Sequence, residues 1–245
     1  MARYQVILAY DGSAFLGFQR QKGARTVQGE VESALAQLGW QGRVLLSAGR
    51  TDTGVHAAGQ VVAFDLDWKH SPEELGRALN ALLPADAAAI KVQEAPADFH
   101  PRYHAASRTY RYRLYCSPDR HPLLDRYAWR VWPQVEVELL QQAAALLLGR
   151  HDFAAFGAPP HAGGNTVRTV LQAAWQVETE GYSFEVTANA FLYHMVRRMV
   201  YLQVLAGQNR LDLNDLAQGV QAACPMPPGL APAHGLVLKH VMYRS

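Results

Sequence analysis

The sequence predicts an α+β protein built from two similar halves. Segments typical of strands and of helices alternate twice along the 245 residues, and the composition, with 49% hydrophobic and 18% charged residues, is that of an ordinary globular protein. A chain of this length is long enough to bury a substantial core, as one large domain or as two smaller ones. We therefore expect halves at 1–104 and 105–245, joined through residues 95–107.

The first half opens with a short run of β-forming residues at 3–10, which ends at the turn signal Asp11-Gly12. Thr26 has the character of a helix cap, and the acidic residues that follow it are typical of a first helical turn. Ser71, followed by Pro72, is a second helix start. The other elements predicted here are a strand at 60–64, a helix to about residue 83 and a strand at 89–93.

The second half repeats this alternation. Two segments rich in proline and glycine, 158–164 and 225–232, are predicted loops. The elements predicted here are a strand at 108–115, a helix from Pro133 to Gly149, strands at 170–177 and 182–187, helices at 190–206 and 211–223, and a last strand at 237–243.

Composition excludes several classes of protein. The net charge is only +2, so a site for a polyanion must be a local patch. No apolar stretch reaches the roughly 18 residues that span a bilayer, and the N-terminus does not resemble a signal peptide. Cys116 and Cys224 stand alone, which favours free thiols in a reducing compartment. The sequence therefore predicts a cytoplasmic protein without a membrane partner.

Positive charge is concentrated between residues 100 and 130, where seven arginines face two aspartates and give a local charge of +5. Tyrosines and tryptophans alternate with these arginines. Guanidinium groups bind phosphates and aromatic rings stack on unpaired bases, so this segment is typical of an RNA-binding surface. A solvated strand whose tyrosines reach into the core is the alternative. The arginines are 102, 108, 111, 113, 120, 126 and 130, and the aromatic residues are 103, 110, 112, 115, 127 and 129.

The segment 47–56 places Asp52 between two threonines and between glycines 49 and 54. Such a pattern is usually a turn, although the flanking hydroxyls also suit a positioned carboxylate. The chain has no phosphate-binding glycine loop and no dinucleotide-binding fingerprint, and it has no serine or cysteine in a recognisable nucleophile motif. His100 and His104 flank Pro101 and are not expected to share a helix face, so we predict no metal site.

The segment 49–57 (GRTDTGVHA) resembles the signature of the tRNA pseudouridine synthase A family, and further matches follow in the family's order along about 230 residues. Phe18 departs from this pattern, because the family commonly has tryptophan there. The matching motifs are YDG at 10–12 with Phe15 and Gly17, RTVQG at 25–29, Asn80 with LP at 83–84, FH at 99–100 with Arg102, RxYxY at 108–112, HDF at 151–153, ANAFL at 188–192 with MVR at 195–197, and APAxGL at 231–236.

The resemblance implies an isomerase that converts uridine to pseudouridine in tRNA and needs no cofactor. Asp52 is implied as the nucleophile, with attack at ribose C1′ and at uracil C6 both open. The target uridine must leave its stem. Arg50 is implied either to occupy the place that the uridine vacates or to hold the flipped backbone, and Tyr110 is implied to lie against the uracil.

Helical spacing gives a separate argument for Arg197. Leu192, Met195, Val196, Met199 and Leu202 form a core stripe, and Arg197 falls on its shoulder among apolar neighbours. A guanidinium there needs an anion, and the resemblance supplies Asp52. A surface arginine whose charged end reaches solvent is the alternative.

For the whole molecule, the resemblance implies two ferredoxin-like halves whose sheets join into one extended, mostly antiparallel sheet, with the active site in the cleft between them. It implies a homodimer that modifies the anticodon arm of tRNA at positions 38–40. The residues expected to contact RNA are Arg50, His56, Arg102, Arg108, Tyr110, Arg111, Arg113 and Arg126.

Two other functions fit parts of the sequence. The basic segment alone equally supports an RNA-binding protein without catalysis on the same fold. A glycosidase that releases the base to water also needs only one positioned carboxylate. A protein that only binds RNA has no need of the Asp52 loop, and a glycosidase, unlike a synthase, liberates free uracil.

Overall fold

In the computed structural model, which describes residues 1–159 and 161–244, the chain divides into two units of mixed helix and strand. The first unit comprises Met1–Ala106 together with the residues from Val237 onward, and the second comprises Ser107–Leu236. Strand pairing within each unit is mostly antiparallel. The predicted α+β class is confirmed. The last strand pairs in the first unit, although the sequence places it in the second half.

The sheet of the first unit has the order β4-β1-β3-β10, and a short β2 pairs with β3. β10 is the one parallel neighbour in this order, pairing Val237 with His56 and Leu238 with Ala57. The elements of this unit are β1 (Ala2–Tyr10), α1 (Val27–Gln37), β2 (Leu46–Ser47), β3 (His56–Leu66), α2 (Pro72–Leu82), β4 (Ala87–Ala95) and β10 (Leu236–Tyr243).

Both helices of the first unit begin where the sequence predicts. The Thr26 hydroxyl accepts a hydrogen bond from the Gly29 amide at the start of α1. Ser71 and Glu74 form a reciprocal capping box before α2, with Pro72 at its first position. Each cap satisfies backbone amides that have no partner inside the helix.

The sheet of the first unit is buried on both faces. Alternate residues of β1, from Tyr4 to Tyr10, are at most 4% exposed. On the opposite face a second cluster of Ala48, Val61, Ala63 and Phe99 packs with Ile7 and its neighbours. This second cluster reaches Ala48, the residue that follows β2.

The sheet of the second unit has the order β5-β9-β8-β7, and β6 pairs in parallel with β5. β5 and β9 place Tyr110 opposite Val186 and Arg111 opposite Glu185. The elements are β5 (Ala105–Cys116), β6 (Trp129–Val131), α3 (Val137–Ala145), β7 (Gly149–Asp152), β8 (Val167–Glu178), β9 (Gly181–Ala188), α4 (Met195–Gly207) and α5 (Leu213–Gln221).

The helices α3, α4 and α5 are all shorter than the sequence predicts, α5 by two residues at each end. α3 ends at Ala145 because the next residues tighten into turns, with Leu147 and Leu148 each bonding the carbonyl three residues earlier. α4 begins at Met195 because His194, just before it, has a left-handed backbone with φ of 66°. The predicted core stripe is buried: its four residues in α4, Met195, Val196, Met199 and Leu202, are at most 4% exposed, and Leu192, which precedes the helix, is 5% exposed.

One buried polar contact ties α4 to the sheet of the second unit. The Trp175 indole N–H donates to Gln203 Oε1 at 2.8 Å, and Gln203 is fully buried. Gln203→Leu leaves that N–H buried without an acceptor, so we expect the free energy of unfolding to fall by about 1–3 kcal/mol. Urea denaturation at constant m-value measures this loss. The substitution should cost clearly less in a Trp175→Phe background, and an equal cost in both backgrounds would contradict this account.

Candidate active site

The Asp52 loop, residues 48–55, connects β2 to β3 and is tied to the sheet at its start. The Ala48 amide donates to Val61 O at 2.8 Å, and the Gln60 side-chain amide donates to Gly49 O at 3.0 Å. The Val55 amide donates to Asp52 O at 3.1 Å and closes a turn around the carboxylate. The Asp52 side chain is half-buried, whereas Arg50 is exposed. The Asp52 carboxylate is thus presented on a fixed backbone and is partly open to solvent.

Two glycines of the segment 12–17 lie directly against the backbone of the Asp52 loop. A Cβ atom on Gly17 would be 2.9 Å from Thr51 O, and one on Gly12 would be 2.1 Å from Val55 O. Gly17 also has φ of +85°, a conformation that side-chain-bearing residues rarely adopt. The Phe18 amide then donates to Thr51 O at 3.0 Å. The glycines therefore allow a backbone-to-backbone contact that no other residue permits.

A buried hydroxyl pair holds the centre of the loop. The Tyr10 hydroxyl and Thr51 Oγ1 are 2.8 Å apart, and both residues are less than 10% exposed. The Tyr10 ring itself packs near Phe15 and Phe18, with ring centroids 6.4 Å away in each case. The residue next to Asp52 is thereby anchored to the end of β1.

Arg25 supports the segment 12–17 through an ion pair with Asp86 and a contact with the Phe15 ring. Its guanidinium forms two hydrogen bonds to the Asp86 carboxylate, at 2.7 and 2.8 Å, and lies 4.3 Å from the centroid of the Phe15 ring. The hydrogen bond to Arg25 lowers the pKa of Asp86, and the same contact raises the pKa of Arg25. Because both groups are partly exposed, the ion pair contributes about 1 kcal/mol or less, and the ring contact adds to it.

His56, the first residue of β3, was expected to contact RNA. The structure buries its side chain to 4% exposure, with Nδ1 accepting a hydrogen bond from the Gly12 amide at 2.9 Å. Asp11 Oδ1 lies 3.1 Å from the same nitrogen. Since a backbone N–H only donates, the bond from Gly12 requires a lone pair on Nδ1. This contact gives His56 a part in supporting the segment 12–17, and its contact with RNA stays a prediction.

In the second unit, Tyr110 lies on β5 with its side chain half-buried. Its ring meets Phe191 edge to face, with centroids 5.0 Å apart and planes at 86°. Phe191 thus sets the orientation of the Tyr110 ring. Phe191 lies in one of the motifs that match the family, but neither its spacing nor its residue type marks it as part of a site.

Arg197 lies in the first turn of α4 and is half-buried. Its Nε donates to Ala231 O at 2.8 Å, and the Ala231 amide donates to Arg197 O at 3.3 Å. The neighbouring Arg198 donates to the carbonyls of Gly229 and Met226. Both arginines therefore bind the backbone of the loop 226–232, which fixes the plane of the Arg197 guanidinium.

The predicted basic surface is partly neutralised by its own sheet. Arg113 Nε lies 3.4 Å from Glu178 Oε2, and Glu185 is directly opposite Arg111 on β9. Arg108 donates to Asn189 O at 2.8 Å. Arg126 is exposed beside the ring of Tyr127, and Arg102 is exposed in the first unit. The two carboxylates lower the net charge of the β5 surface below that of the segment alone.

Neither a metal cluster nor a membrane-spanning helix is found within residues 1–159 and 161–244. No group of three or more histidine, cysteine, aspartate or glutamate residues is arranged there to hold a metal ion. None of the helices in this part of the chain is long and apolar enough to cross a bilayer.

Comparison with known proteins gives similarity along nearly the whole chain. The family model described as tRNA pseudouridine synthase matches residues 6–104 and 143–244. The tRNA pseudouridine synthase A of Streptococcus equi subsp. equi is 38% identical over 253 residues, which cover 100% of both chains. The protein of that name from Halalkalibacterium halodurans is 40% identical over 240 residues and covers 97% of this chain and 91% of its own.

A solved structure, of a Cbf5-Nop10-Gar1 complex, covers 82% of this chain and 44% of the matched chain. It has a TM-score of 0.38 and 14% sequence identity, a likeness too distant to support a conclusion.

The close contact at Gly17 yields a prediction with a matched control. Gly23 has a similar backbone, with φ of +74°, but a Cβ there would meet no atom within 4 Å. Each change to alanine strains the backbone by about 1–2 kcal/mol. Gly17→Ala additionally forces the Thr51 carbonyl to move, so we expect it to cost at least about 1 kcal/mol more than Gly23→Ala in urea denaturation. Equal losses would show that the contact with the Asp52 loop contributes nothing to stability.

Proposed function

The chain belongs to the tRNA pseudouridine synthase family, and from that premise we propose that it isomerises uridine to pseudouridine in tRNA. The N1–C1′ bond of the nucleoside breaks, a C5–C1′ bond forms, and a proton leaves C5 while N1 gains one. The formula of the nucleoside does not change. The chemistry therefore requires a nucleophile, a proton acceptor and accurate placement of the base.

We propose Asp52 as the nucleophile. The single observation that carries this assignment is the geometry of its loop, in which a half-buried carboxylate stands on a backbone fixed from both sides by Gly12, Gly17 and the Tyr10–Thr51 pair. A carboxylate held in this way loses little conformational entropy on attack. An adduct at ribose C1′ or at uracil C6 then separates the isomerisation into two easier steps.

Arg197 and Tyr110 are proposed to complete the catalytic set. Arg197, whose Nε is held by Ala231 O, is proposed to supply the positive charge that balances the Asp52 carboxylate. Tyr110 supplies an aromatic face for the uracil, and Phe191 packs against its ring at 5.0 Å. A rigid ring limits the positions that the base takes between bond breaking and re-attachment.

The anticodon arm, at positions 38–40, is the proposed part of the tRNA. A uridine in a stem must be flipped out before Asp52 reaches it, and the exposed Arg50, two residues earlier in the same loop, is proposed to hold the flipped nucleotide. The remaining arginines are proposed to bind phosphate. These are Arg102, Arg108, Arg111, Arg113 and Arg126.

Replacing Asp52 separates catalysis from binding. Asp52→Asn keeps the size of the side chain and removes its charge, so we expect single-turnover pseudouridine formation to fall to background. Affinity for tRNA should be equal or slightly higher, because one negative charge leaves a surface that faces phosphate. Nucleotide-resolution mapping of pseudouridine and filter binding measure the two quantities.

Glu180→Gln is the control, since it removes one carboxylate charge from an exposed turn of the second unit and should leave turnover unchanged. Arg197→Ala should reduce turnover more than affinity, and the double variant should be scarcely slower than Asp52→Asn alone. Turnover that persists in folded Asp52→Asn would refute the assignment. Free uracil in the reaction would identify a glycosidase, and binding with no reaction would identify a protein that only binds RNA.

We also propose that the enzyme is a cytoplasmic homodimer. One stem-loop offers few contacts, and a second copy that carries the same arginine-rich segment adds grip on the rest of the tRNA. Light scattering should give a mass of about twice 27.1 kDa at working concentration. A monomer with full activity would contradict this.

A further inference from the structure

The loop 99–104, which joins β4 to β5, is held rigidly from below. Arg3 Nη1 donates to Phe99 O at 2.9 Å, and the Tyr243 hydroxyl donates to Pro101 O at 2.9 Å. The Phe99 ring is 7% exposed and packs in the same cluster as Ala48. The base of this loop is therefore part of the core of the first unit and shares its support with the start of the Asp52 loop.

The outer side of the loop presents an aromatic ring and a cation to solvent. Tyr103 is 76% exposed, the most exposed aromatic side chain among the large hydrophobic residues of the described chain. Its ring packs on His100 with centroids 4.3 Å apart and planes at 40°. Arg102 and His104 are exposed on either side.

His100 fixes both the backbone and the ring of the loop. Its Nδ1 accepts a hydrogen bond from the Arg102 amide at 3.1 Å, and its carbonyl accepts one from the His104 amide at 3.1 Å. The bond from the Arg102 amide requires a lone pair on Nδ1, and burial, the largest effect, lowers the pKa of His100 and so favours the imidazole form that has it. Tyr103 therefore packs on a ring that is fixed in a preorganised turn.

The surroundings of Tyr103 suit an RNA better than a protein partner. The centre of a protein interface is depleted of charged residues, whereas Tyr103 is flanked by exposed charged or polar side chains. A ring that is already ordered loses little entropy when a base stacks on it, and the adjacent guanidinium suits the phosphate of the same nucleotide.

We propose that the loop 99–104 is a second RNA-contact site, in which Tyr103 stacks on an unpaired base of the tRNA and Arg102 binds a neighbouring phosphate. The proposal rests on the proposed function for the identity of the RNA. It adds a stacking site in the first unit that is separate from the uridine bound by Asp52. Because Phe99 and Ala48 share one cluster, a base bound here would be held at a fixed place relative to the Asp52 loop.

Filter binding of unmodified tRNA over a range of salt concentrations tests the proposal. The full chain is used with Asp52→Asn, so that affinity is measured without turnover. Tyr103→Ala should weaken affinity by about tenfold and leave the salt dependence unchanged, because stacking releases no counterions. Arg102→Ala should weaken affinity and also lower the slope of log affinity against log salt by about one.

Conservative variants show whether the ring itself is responsible. Tyr103→Phe and Tyr103→Trp should keep the affinity of the parent, since both retain an aromatic face. Leu171→Ala is the control, because it removes a side chain that is 59% exposed in the second unit. Urea denaturation checks that each variant is folded.

Unchanged affinity in Tyr103→Ala would overturn the proposal, and so would an equal loss in Tyr103→Phe, which would assign the effect to the hydroxyl. The proposed function is judged separately, by pseudouridine formation in the chain that retains Asp52. A chain that shows the binding pattern without forming pseudouridine would refute the proposed function and leave this RNA-contact site standing. A chain that forms pseudouridine but lacks the expected binding pattern would refute this RNA-contact site and leave the proposed function standing.

Discussion

The close contact between the segment 12–17 and the Asp52 loop is the constraint on which the candidate site depends. Two backbones approach there to a distance that leaves no room for a side chain at Gly12 or Gly17. A loop held only by its own turn samples many conformations. The more conformations it samples, the smaller is the fraction of time in which its carboxylate is oriented for reaction. Here the supports converge on Thr51 and Val55, the residues that flank the Asp52 turn.

In the second unit, side-chain hydrogen bonds hold a loop in place, whereas close backbone contact does so in the first unit. Arg197 and Arg198 bind carbonyls of the loop 226–232, and the Tyr112 hydroxyl donates to Pro232 O at 2.8 Å. Tyr112 is fully buried, and burial raises its pKa well above the ordinary value, so its hydroxyl remains a donor at every physiological pH. In both units, residues proposed for chemistry lie where a loop is bound to a core element by a few directed hydrogen bonds.

The features of the fold that could be predicted from the sequence are those that depend on neighbouring residues in the chain. The caps at Thr26 and Ser71, the long strands and the apolar stripe of α4 depend on spacing within a few residues, and each is found as predicted. Short elements such as β2 and β6 were missed, because two or three residues carry no periodicity and are fixed by the strand they pair with. The ends of α3 and α4 were misplaced because the tightened turn after Ala145 and the left-handed backbone of His194 leave no mark on the apolar periodicity of the sequence.

The same distinction between local and long-range features applies to the proposed site residues and the contacts that support them. Asp52 and Arg197 stand in motifs that sequence comparison recognises, but the supports of the site are long-range contacts. Gly17 touches a loop more than thirty residues away, and Phe191 meets Tyr110 across some eighty residues. The +5 charge of residues 100–130 was also incomplete evidence, because Glu178 comes to lie beside Arg113 only when the sheet forms.

The balance between charge and rigidity suits the proposed reaction. Uridine and pseudouridine have the same atoms, and the difficult part of their interconversion is to release a base, turn it and re-attach it without losing it to water. Additional positive charge would tighten the binding of substrate and transition state equally, which lowers KM without raising kcat. Rigid rings and loops instead restrict the positions of the base while it is detached from the ribose, between uridine and pseudouridine. A chain with a net charge of only +2, a carboxylate on a doubly supported turn and an aromatic ring oriented by a second ring is therefore adapted to control position more than to maximise affinity.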